Sequence, residues 1–299
     1  MVVILTHDDA DGVCSAALLK ARYPDARVIF TRPIALHRDL RQVEDEGMVF
    51  VCDIGINDRY REKVQATAKK MGKRLIFFDH HPLPVTKRHW DPKKAATQLV
   101  YEYVGKDLPE EMKWIAVFGC IGDWRETQFV TESYNAWDKQ SIQFEATTLV
   151  MALELSQRKF KQYIVGGLSE GKFPSEIPGV MNKAVGAVKE ERNIRSFVHA
   201  NVEVFGKIAY VMDPPGRGFG GKAAIFARAL GRRGVGLCAR NLTGEMDLSI
   251  RSEKIDLSKI VPKAATEVSG SGGGHPEAAG ATIPLGRLKD FIREMNRLI

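Results

Sequence analysis

The fold class is decided by the stretch Val2-Val3-Ile4-Leu5-Thr6-His7-Asp8-Asp9-Ala10-Asp11-Gly12. Its first four residues are all apolar, which predicts a strand that is buried on both faces. From Gly12 to Lys20 the apolar residues have helical spacing, which predicts a helix behind the strand. A buried strand followed by a helix is typical of a parallel sheet that carries helices on its faces.

The same alternation continues through the first half of the chain. Further apolar runs predict strands at residues 27–30, 49–52 and 74–78. Helical patterns follow at residues 59–71, 95–103 and 110–119, and again between residues 141 and 165. We therefore predict an α/β fold with an N-terminal Rossmann-like parallel sheet.

A length of 299 residues predicts two domains, and the pattern of the sequence changes in the second half. Gly166-Gly167 and the Pro- and Gly-rich residues 173–179 predict a break in the chain. Residues 180–198 have the pattern of a connecting helix, and short strands follow. We predict an N-terminal domain over residues 1–172, a helical linker over 173–200, and a smaller C-terminal α/β domain with a mixed sheet over 201–299.

Composition excludes several classes of protein. Hydrophobic residues make up 44% and charged residues 27%, which are values of a globular chain rather than a disordered one. No apolar run approaches the ~20 residues that span a bilayer, and the N-terminus lacks the basic region of a signal peptide. The four cysteines are scattered without a CxxC pair, which argues against disulfides and structural zinc. We expect a cytoplasmic protein that has no membrane partner.

The charge of the chain points to an anionic partner. The formal net charge is +7, and residues 200–299 contribute 15 basic against 10 acidic side chains. Most of the basic excess therefore lies in the predicted C-terminal domain. Such an excess favours binding of a polyanion, although charge says nothing about the fold.

Acidic and histidine residues follow three of the predicted strands. His7, Asp8, Asp9 and Asp11 follow the first strand, Asp53 follows the third, and Asp79-His80-His81 follows the fourth. Because the carboxyl ends of parallel strands form one edge of a sheet, these side chains are expected to meet there. Asp123 follows an apolar helix and is a fourth candidate.

So many carboxylates at one edge repel each other unless cations lie between them. Carboxylate oxygens with neutral imidazoles suit Mn²⁺, Mg²⁺ or a related divalent ion. Two such ions ~3.5–4 Å apart can hold a phosphoryl group and activate water. Taken singly, each aspartate is explained as a helix cap or a turn residue, but their ordered occurrence predicts a metal site.

These residues resemble the four ordered motifs of the DHH phosphoesterases. That family includes RecJ-type exonucleases, nanoRNases and pAp phosphatases, cyclic-dinucleotide phosphodiesterases and family II inorganic pyrophosphatases. Gly272-Gly273-Gly274-His275, followed by Ala278-Ala279-Gly280, looks like the GGGH motif of the DHH-associated C-terminal domain. The resemblance spans the whole chain and implies a catalytic DHH domain followed by a substrate-binding domain.

The resemblance implies a role for each candidate residue. It implies two divalent ions, with Mn²⁺ expected and Mg²⁺ or Co²⁺ as alternatives. One ion would be held by His7, Asp9 and Asp53, and the second by Asp11, Asp53, His80 and Asp123. Asp53 would bridge the ions, Asp79 would orient His80, and His81 would contact the scissile phosphate or protonate the leaving group. The role of Asp8 is left open between solvation of the loop and function.

Candidate substrate-binding residues lie in the C-terminal half. Gly272, Gly273 and Gly274 can bring backbone N–H groups close to an anion, and His275 belongs to the same motif. Arg251 resembles the arginine that family members direct at substrate, with a solvated surface arginine as the alternative. Phe219 is a candidate for stacking on a base, or else an exposed loop residue. Lys161 is interpreted as a solvated residue or a weak contact to a nucleic-acid backbone.

The resemblance to nanoRNases and short archaeal RecJ-like exonucleases predicts the function. We predict Mn²⁺-dependent removal of mononucleotides from short single-stranded DNA or RNA, from the 3′ end. A pAp phosphatase or a linear or cyclic dinucleotide phosphodiesterase is the alternative. A replication or repair scaffold is the alternative of a different class, and a replication or repair partner or a homodimer is left open. The 3′ direction rests on the resemblance alone, and the preference for DNA or RNA is left open.

Overall fold

The apolar run that opens the chain forms β1 (Val2–Thr6), an internal strand of a five-stranded sheet. The computed structural model describes residues 1–81, 88–216 and 218–299. The other strands of this sheet are β2 (Arg27–Phe30), β3 (Met48–Cys52), β4 (Leu75–Asp79) and β5 (Arg88–Trp90). Their order is β2-β1-β3-β4-β5, and all neighbours are parallel. The carboxyl ends of the strands therefore share one edge.

Helices cover both faces of this sheet, as the continuous apolar runs predict. One face packs against α2 (Leu36–Gln42) and α3 (Arg61–Met71), and alternate residues of β1, Val3 and Leu5, point to it. The intervening Ile4 belongs to the larger core on the other face. The remaining helices of this half are α1 (Ala10–Arg22), α4 (Ala96–Val104), α5 (Met112–Gly122), α6 (Gln128–Ser133), α7 (Lys139–Glu154), α8 (Arg158–Ser169) and α9 (Val180–Asn201).

A six-stranded mixed sheet forms the second half of the chain. Its strands are β6 (Glu203–Phe205), β7 (Ile208–Met212), β8 (Val235–Asn241), β9 (Glu245–Ser252), β10 (Ser271–Gly274) and β11 (Ala278–Pro284). The order is β10-β11-β9-β8-β7-β6, in which β7 and β8 are parallel and the other neighbours antiparallel. The predicted fold class, a parallel N-terminal sheet and a mixed C-terminal sheet, is confirmed.

Three helices pack on the mixed sheet. They are α10 (Gly220–Gly231), α11 (Leu257–Glu267) and α12 (Leu288–Leu298). Val261 of α11 and Phe291 of α12 share a core with Leu248 and Ile250 of β9. The sequence pattern missed α11 because Pro262 lies inside it, although its buried residues have helical spacing.

The chain divides into two units, Met1–Ala187 and Val188–Ile299, and the division falls within α9. The break predicted at Gly166-Gly167 does not occur, because both glycines lie inside α8. Gly167 packs so closely that a Cβ there would lie 2.8 Å from Ile177. Among the described residues, no helix is long and apolar enough to cross a membrane.

Candidate metal centre

The structure brings the predicted residues of the first unit together at the carboxyl edge of the parallel sheet. His7 follows β1, Asp53 follows β3, and Asp79 is the last residue of β4. Asp9 caps the start of α1, which contains Asp11, Asp123 caps the end of α5, and His80 and His81 follow β4. The residues whose side chains meet in this way are His7, Asp9, Asp11, Asp53, Asp79, His80, His81 and Asp123.

His7, Asp9 and Asp53 form the first group of possible metal ligands, with ligand atoms within 4.8 Å of one another. Nδ1 of His7 lies 2.7 Å from Oδ2 of Asp9 and 3.5 Å from Oδ2 of Asp53. Asp9 also accepts a hydrogen bond from the backbone N–H of Gly12 through Oδ1, at 3.0 Å. The cap and ligand interpretations of Asp9 are therefore compatible, because its two oxygens face different ways.

Asp11, His80 and Asp123 form the second group, within the same distance limit. Nδ1 of His80 lies 3.9 Å from Oδ2 of Asp11 and 3.7 Å from Oδ2 of Asp123. Asp11 is held by the first turn of α4, where the backbone N–H groups of Ala96 and Thr97 donate to its two oxygens at 2.8 and 2.7 Å. Because a helix N-terminus favours an anion, this contact fixes the carboxylate in a buried position.

Asp53 lies between the two groups. Its ligand atom is also within 4.8 Å of those of Asp79, His80 and His81. The backbone at Asp53 has a φ of +56°, which is rare for a residue other than glycine. Its N–H donates to the carbonyl of Phe78 at 3.0 Å, which extends the pairing of β3 with β4 by one residue. Such local strain occurs at functional sites, where the surrounding structure holds it in place.

Asp79 is fully buried and organises the chain on both sides of it. Oδ2 accepts from the N–H of Ile54 at 2.8 Å, and Oδ1 accepts from the N–H of His81 at 2.8 Å. Oδ1 also lies 2.6 Å from Nδ1 of the His81 ring. The prediction paired Asp79 with His80, whereas the hydrogen bond described here is made to His81. That bond fixes the orientation of the His81 ring, so that Nε2 faces away from Asp79.

The carboxylates strongly perturb one another because Asp11 and Asp53 are buried and lie close to Asp9 and Asp123. Burial, followed by the charge of Asp123, raises the pKa of Asp11, and burial with the charge of Asp9 raises the pKa of Asp53. Burial and the charge of Asp9 raise the pKa of Asp123 to about 6. The charge of Asp9 likewise raises the pKa of His7. Ionisation of these carboxyl groups is unfavourable in the metal-free protein, and bound cations would stabilise the ionised form. The oxygen and nitrogen atoms of the cluster are ligands that suit Mn²⁺ or Mg²⁺.

Asp8 and Lys161 form a contact that the sequence did not reveal. Lys161 lies on α8 and is only 8% exposed, so it is not the solvated residue that the sequence suggested. Its Nζ donates to the backbone carbonyl of Asp8 at 2.7 Å and to Oδ2 of Asp8 at 2.9 Å. Burial alone would raise the pKa of Asp8, but the hydrogen bond and charge of Lys161 lower it. The pair anchors the loop between His7 and Asp9.

The predicted substrate-binding residues lie in the second unit. Gly272, Gly273 and Gly274 belong to β10, which pairs with β11, so the glycine run is a strand and not a flexible loop. Gly274 has a φ of +144°, and a Cβ there would lie 2.5 Å from the carbonyl oxygen of Ala278. The N–H of His275 donates to the same carbonyl at 2.8 Å.

Arg251 lies beside this hairpin on β9, opposite Ala278 in the register. Its guanidinium lies against Gly221 at the start of α10, and Nη1 donates to the carbonyl of Ile250 at 2.9 Å. Phe219, the candidate for base stacking, is 1% exposed and is therefore buried rather than presented to a ligand. Arg251 and the GGGH segment thus lie on β9 and β10, the two strands that flank β11, and the burial of Phe219 removes it from the candidates.

Comparison with protein families gives two matches. The profile of the DHH family, N-terminal domain, matches residues 1–120, and that of the DHHA1 domain matches residues 208–299. Together the two profiles account for most of the chain. A search of curated proteins finds no significant match.

Solved structures share the fold over nearly the whole chain. Exonuclease RecJ bound to manganese is 16% identical, with a TM-score of 0.67, and the match covers 99% of this chain and 89% of that one. The DHH domain of a member of the s1p family of ribosomal proteins is 14% identical, with a TM-score of 0.73 and coverages of 99% and 86%. The pGpG-specific phosphodiesterase PggH from Vibrio cholerae is 13% identical, with a TM-score of 0.60 and coverages of 100% and 98%. At these identities the similarity establishes the fold.

Gly12→Ala is expected to disrupt the first group of ligands. A Cβ at residue 12 would overlap the carbonyl of His7, and the carbonyl of Gly12 accepts from Oγ1 of Thr6 at 2.7 Å, so the turn cannot relax easily. We expect unfolding to become easier by about 1–3 kcal/mol and Mn²⁺ binding to weaken. Thermal unfolding and calorimetric titration with Mn²⁺ measure both effects.

Gly166→Ala is the matched control for this substitution. Gly166 lies inside α8 with open space where a Cβ would go. Helix propensity predicts a gain of up to ~1 kcal/mol and unchanged Mn²⁺ binding. Equal effects of the two substitutions would contradict the close approach at Gly12.

Lys161→Met is expected to weaken Mn²⁺ binding at the first group, because it leaves the half-buried Asp8 carboxylate without its cation and releases the loop between His7 and Asp9. The expected loss of stability is about 1–3 kcal/mol. Combining it with Asp8→Asn gives a double-mutant cycle by chemical denaturation, in which the two effects should be less than additive. Strict additivity, with unchanged Mn²⁺ binding in Lys161→Met, would show that the pair does not anchor the loop.

Proposed function

This chain belongs to the DHH phosphoesterase family, and from that membership we propose that it is a Mn²⁺-dependent exonuclease. Its proposed substrates are short single-stranded DNA or RNA, from which it removes mononucleotides starting at the 3′ end. The observation that carries the proposal is the pair of ligand groups, His7-Asp9-Asp53 and Asp11-His80-Asp123, at one sheet edge. Two adjacent cation sites can stabilise the attacking and the leaving oxygen of phosphoryl transfer to water.

We assign the first group to one divalent ion and the second group, with Asp53, to another. Asp53 is suited to bridge them because it also lies within reach of His80. Bound ions would offset the charge of the phosphate and lower the pKa of water. The match to RecJ bound to manganese supports Mn²⁺, with Mg²⁺ and Co²⁺ as alternatives.

His81 and Asp79 supply the proton chemistry in this proposal. Asp79 holds Nδ1 of His81, and the ring lies against Gly55, 3.1 Å from where a Cβ would stand. A ring fixed in this way can present Nε2 to a phosphate oxygen or to the leaving oxygen. From that position the ring can transfer a proton to the leaving oxygen.

We propose that the second unit binds the substrate. Arg251 supplies a cation, and the backbone of Gly272, Gly273 and Gly274 with His275 supplies hydrogen-bond donors for phosphate groups. The corresponding domains are 1–172 for catalysis and 201–299 for substrate binding, joined by residues 173–200. The basic excess of the last hundred residues supports a polyanionic substrate.

A phosphodiesterase of short dinucleotides is the second candidate. It is favoured by the match to PggH, which covers nearly the full length of both chains. A purely structural role in a replication or repair assembly has less support, because each proposed metal-ligand position holds a competent side chain.

Hydrolysis of 3′- and 5′-labelled oligonucleotides of 2 to 20 nucleotides with Mn²⁺ tests the proposal. We expect stepwise release of mononucleotides at all lengths, and a loss of about 100-fold or more for Asp53→Asn, because the bridging charge is removed. Asp107→Asn is the matched control, since Asp107 pairs with Arg22 on the surface. Cleavage confined to two nucleotides would favour the second candidate, and full activity of Asp53→Asn would overturn the site.

The affinity for Mn²⁺ is expected to fall as the pH drops, first where His7 takes up its proton and more steeply below about pH 6, where Asp123 does so too. The pKa of Asp123 in the metal-free protein is raised to about 6, mainly by burial, so a metal must displace its proton at lower pH. The raised pKa of His7 acts in the same direction. Each displaced proton lowers the affinity about tenfold per pH unit below the pKa. Calorimetric titration from pH 5 to 8, in buffers of different ionisation enthalpy, counts the released protons; a flat affinity without proton release would contradict the assignment.

A further inference from the structure

Trp124 occupies a backbone position that normally belongs to glycine. Helix α5 ends in a Schellman motif, in which the N–H of Trp124 donates to the carbonyl of Ile121 at 3.0 Å and that of Arg125 to Cys120 at 2.8 Å. Trp124 has a φ of +57°, the left-handed conformation that a glycine adopts without penalty. A bulky side chain here is strained, and the fold alone gives no reason for it.

The side chain of Trp124 is presented to solvent. It is 91% exposed, more than any other large hydrophobic side chain that the structure describes. Tryptophan is usually well covered in a folded protein because of its large apolar surface. A strained backbone that carries an exposed indole therefore points to a ligand.

The position of Trp124 connects it to the metal centre. The residue before it is Asp123, a member of the second ligand group. The residue after it, Arg125, donates from Nε to Oδ2 of Asp123 at 3.2 Å and from Nη1 to the carbonyl of Pro92 at 2.7 Å. The turn is thus braced on both sides, and the indole stands on a fixed base at the rim of the centre.

We propose that Trp124 stacks on a nucleobase of the nucleotide whose phosphate occupies the metal centre. This inference rests on the proposed function and adds a substrate-positioning residue to it. Adjacent Cα atoms are ~3.8 Å apart, so a substrate held by the Asp123 group brings its sugar and base within reach of the indole. Stacking on an indole tolerates every base, which suits an enzyme that removes successive nucleotides whatever their sequence.

Trp124→Gly separates this role from a structural one. Glycine relieves the left-handed strain, so the thermal midpoint should stay the same or rise, and Mn²⁺ affinity should be unchanged. The KM for a short oligonucleotide should rise about 5- to 100-fold at nearly constant kcat, because stacking acts equally on bound substrate and transition state. Trp124→Phe should restore most of the KM, since an aromatic face returns.

Two controls keep the test specific. An oligonucleotide that is abasic at the scissile nucleotide should be a poor substrate for the native protein, and Trp124→Gly should not weaken it further. Phe144→Ala removes a half-exposed aromatic side chain from α7 and should leave KM unchanged. Absence of any oligonucleotide hydrolysis by the native protein would instead reject the proposed function.

Three outcomes would overturn the role of Trp124 while leaving the proposed function intact. The first is an unchanged KM in Trp124→Gly, and the second is an equal rise of KM for the intact and abasic substrates. The third is a native oligomer that Trp124→Gly dissociates in sedimentation, which would assign the indole to a protein interface.

Discussion

The burial of several aspartates at one sheet edge is the constraint around which the first unit is built. Asp11, Asp53 and Asp79 are at most 5% exposed, and burial of this much negative charge is unfavourable without compensation. The protein compensates each carboxylate differently. Asp11 takes two N–H groups of α4, and Asp79 takes two N–H groups and an imidazole. The negative charge of Asp53 and Asp123 is not compensated in this way, and the pKa values of both carboxyl groups are raised. Bound cations would supply the missing compensation.

The supporting contacts explain how loops at a sheet edge become a rigid site. Lys161 holds the loop after β1 through the carbonyl and the carboxylate of Asp8, from a helix more than 150 residues away in sequence. Arg125 holds Asp123 against the segment at Pro92. The absence of a side chain at Gly12 lets α1 begin directly over His7. Fixed ligands of this kind give a metal centre its geometry before the metal arrives.

The sequence predicted the fold class and four of the five strands of the parallel sheet, because the residues of those four are continuous and apolar. It missed β5, whose sequence Arg88-His89-Trp90 has no apolar run. It also indicated which residues gather at the edge, since each strand delivers its following residues to the same place. It could not predict contacts between distant segments, such as Lys161 with Asp8, or the hydrogen bond between Asp79 and His81. Phe219 and Trp124 show the same limit, because aromatic residues carry no local signal for burial, which depends on tertiary packing.

The central claim is that the edge of the parallel sheet holds two divalent ions that Asp53 bridges. Crystals of the native protein soaked in Mn²⁺ and measured at the manganese absorption edge test it most directly. The account predicts two anomalous peaks ~3.5–4 Å apart, one at His7, Asp9 and Asp53 and the other at Asp11, His80 and Asp123, with Asp53 contacting both. A single peak, or manganese bound away from these residues, would contradict it.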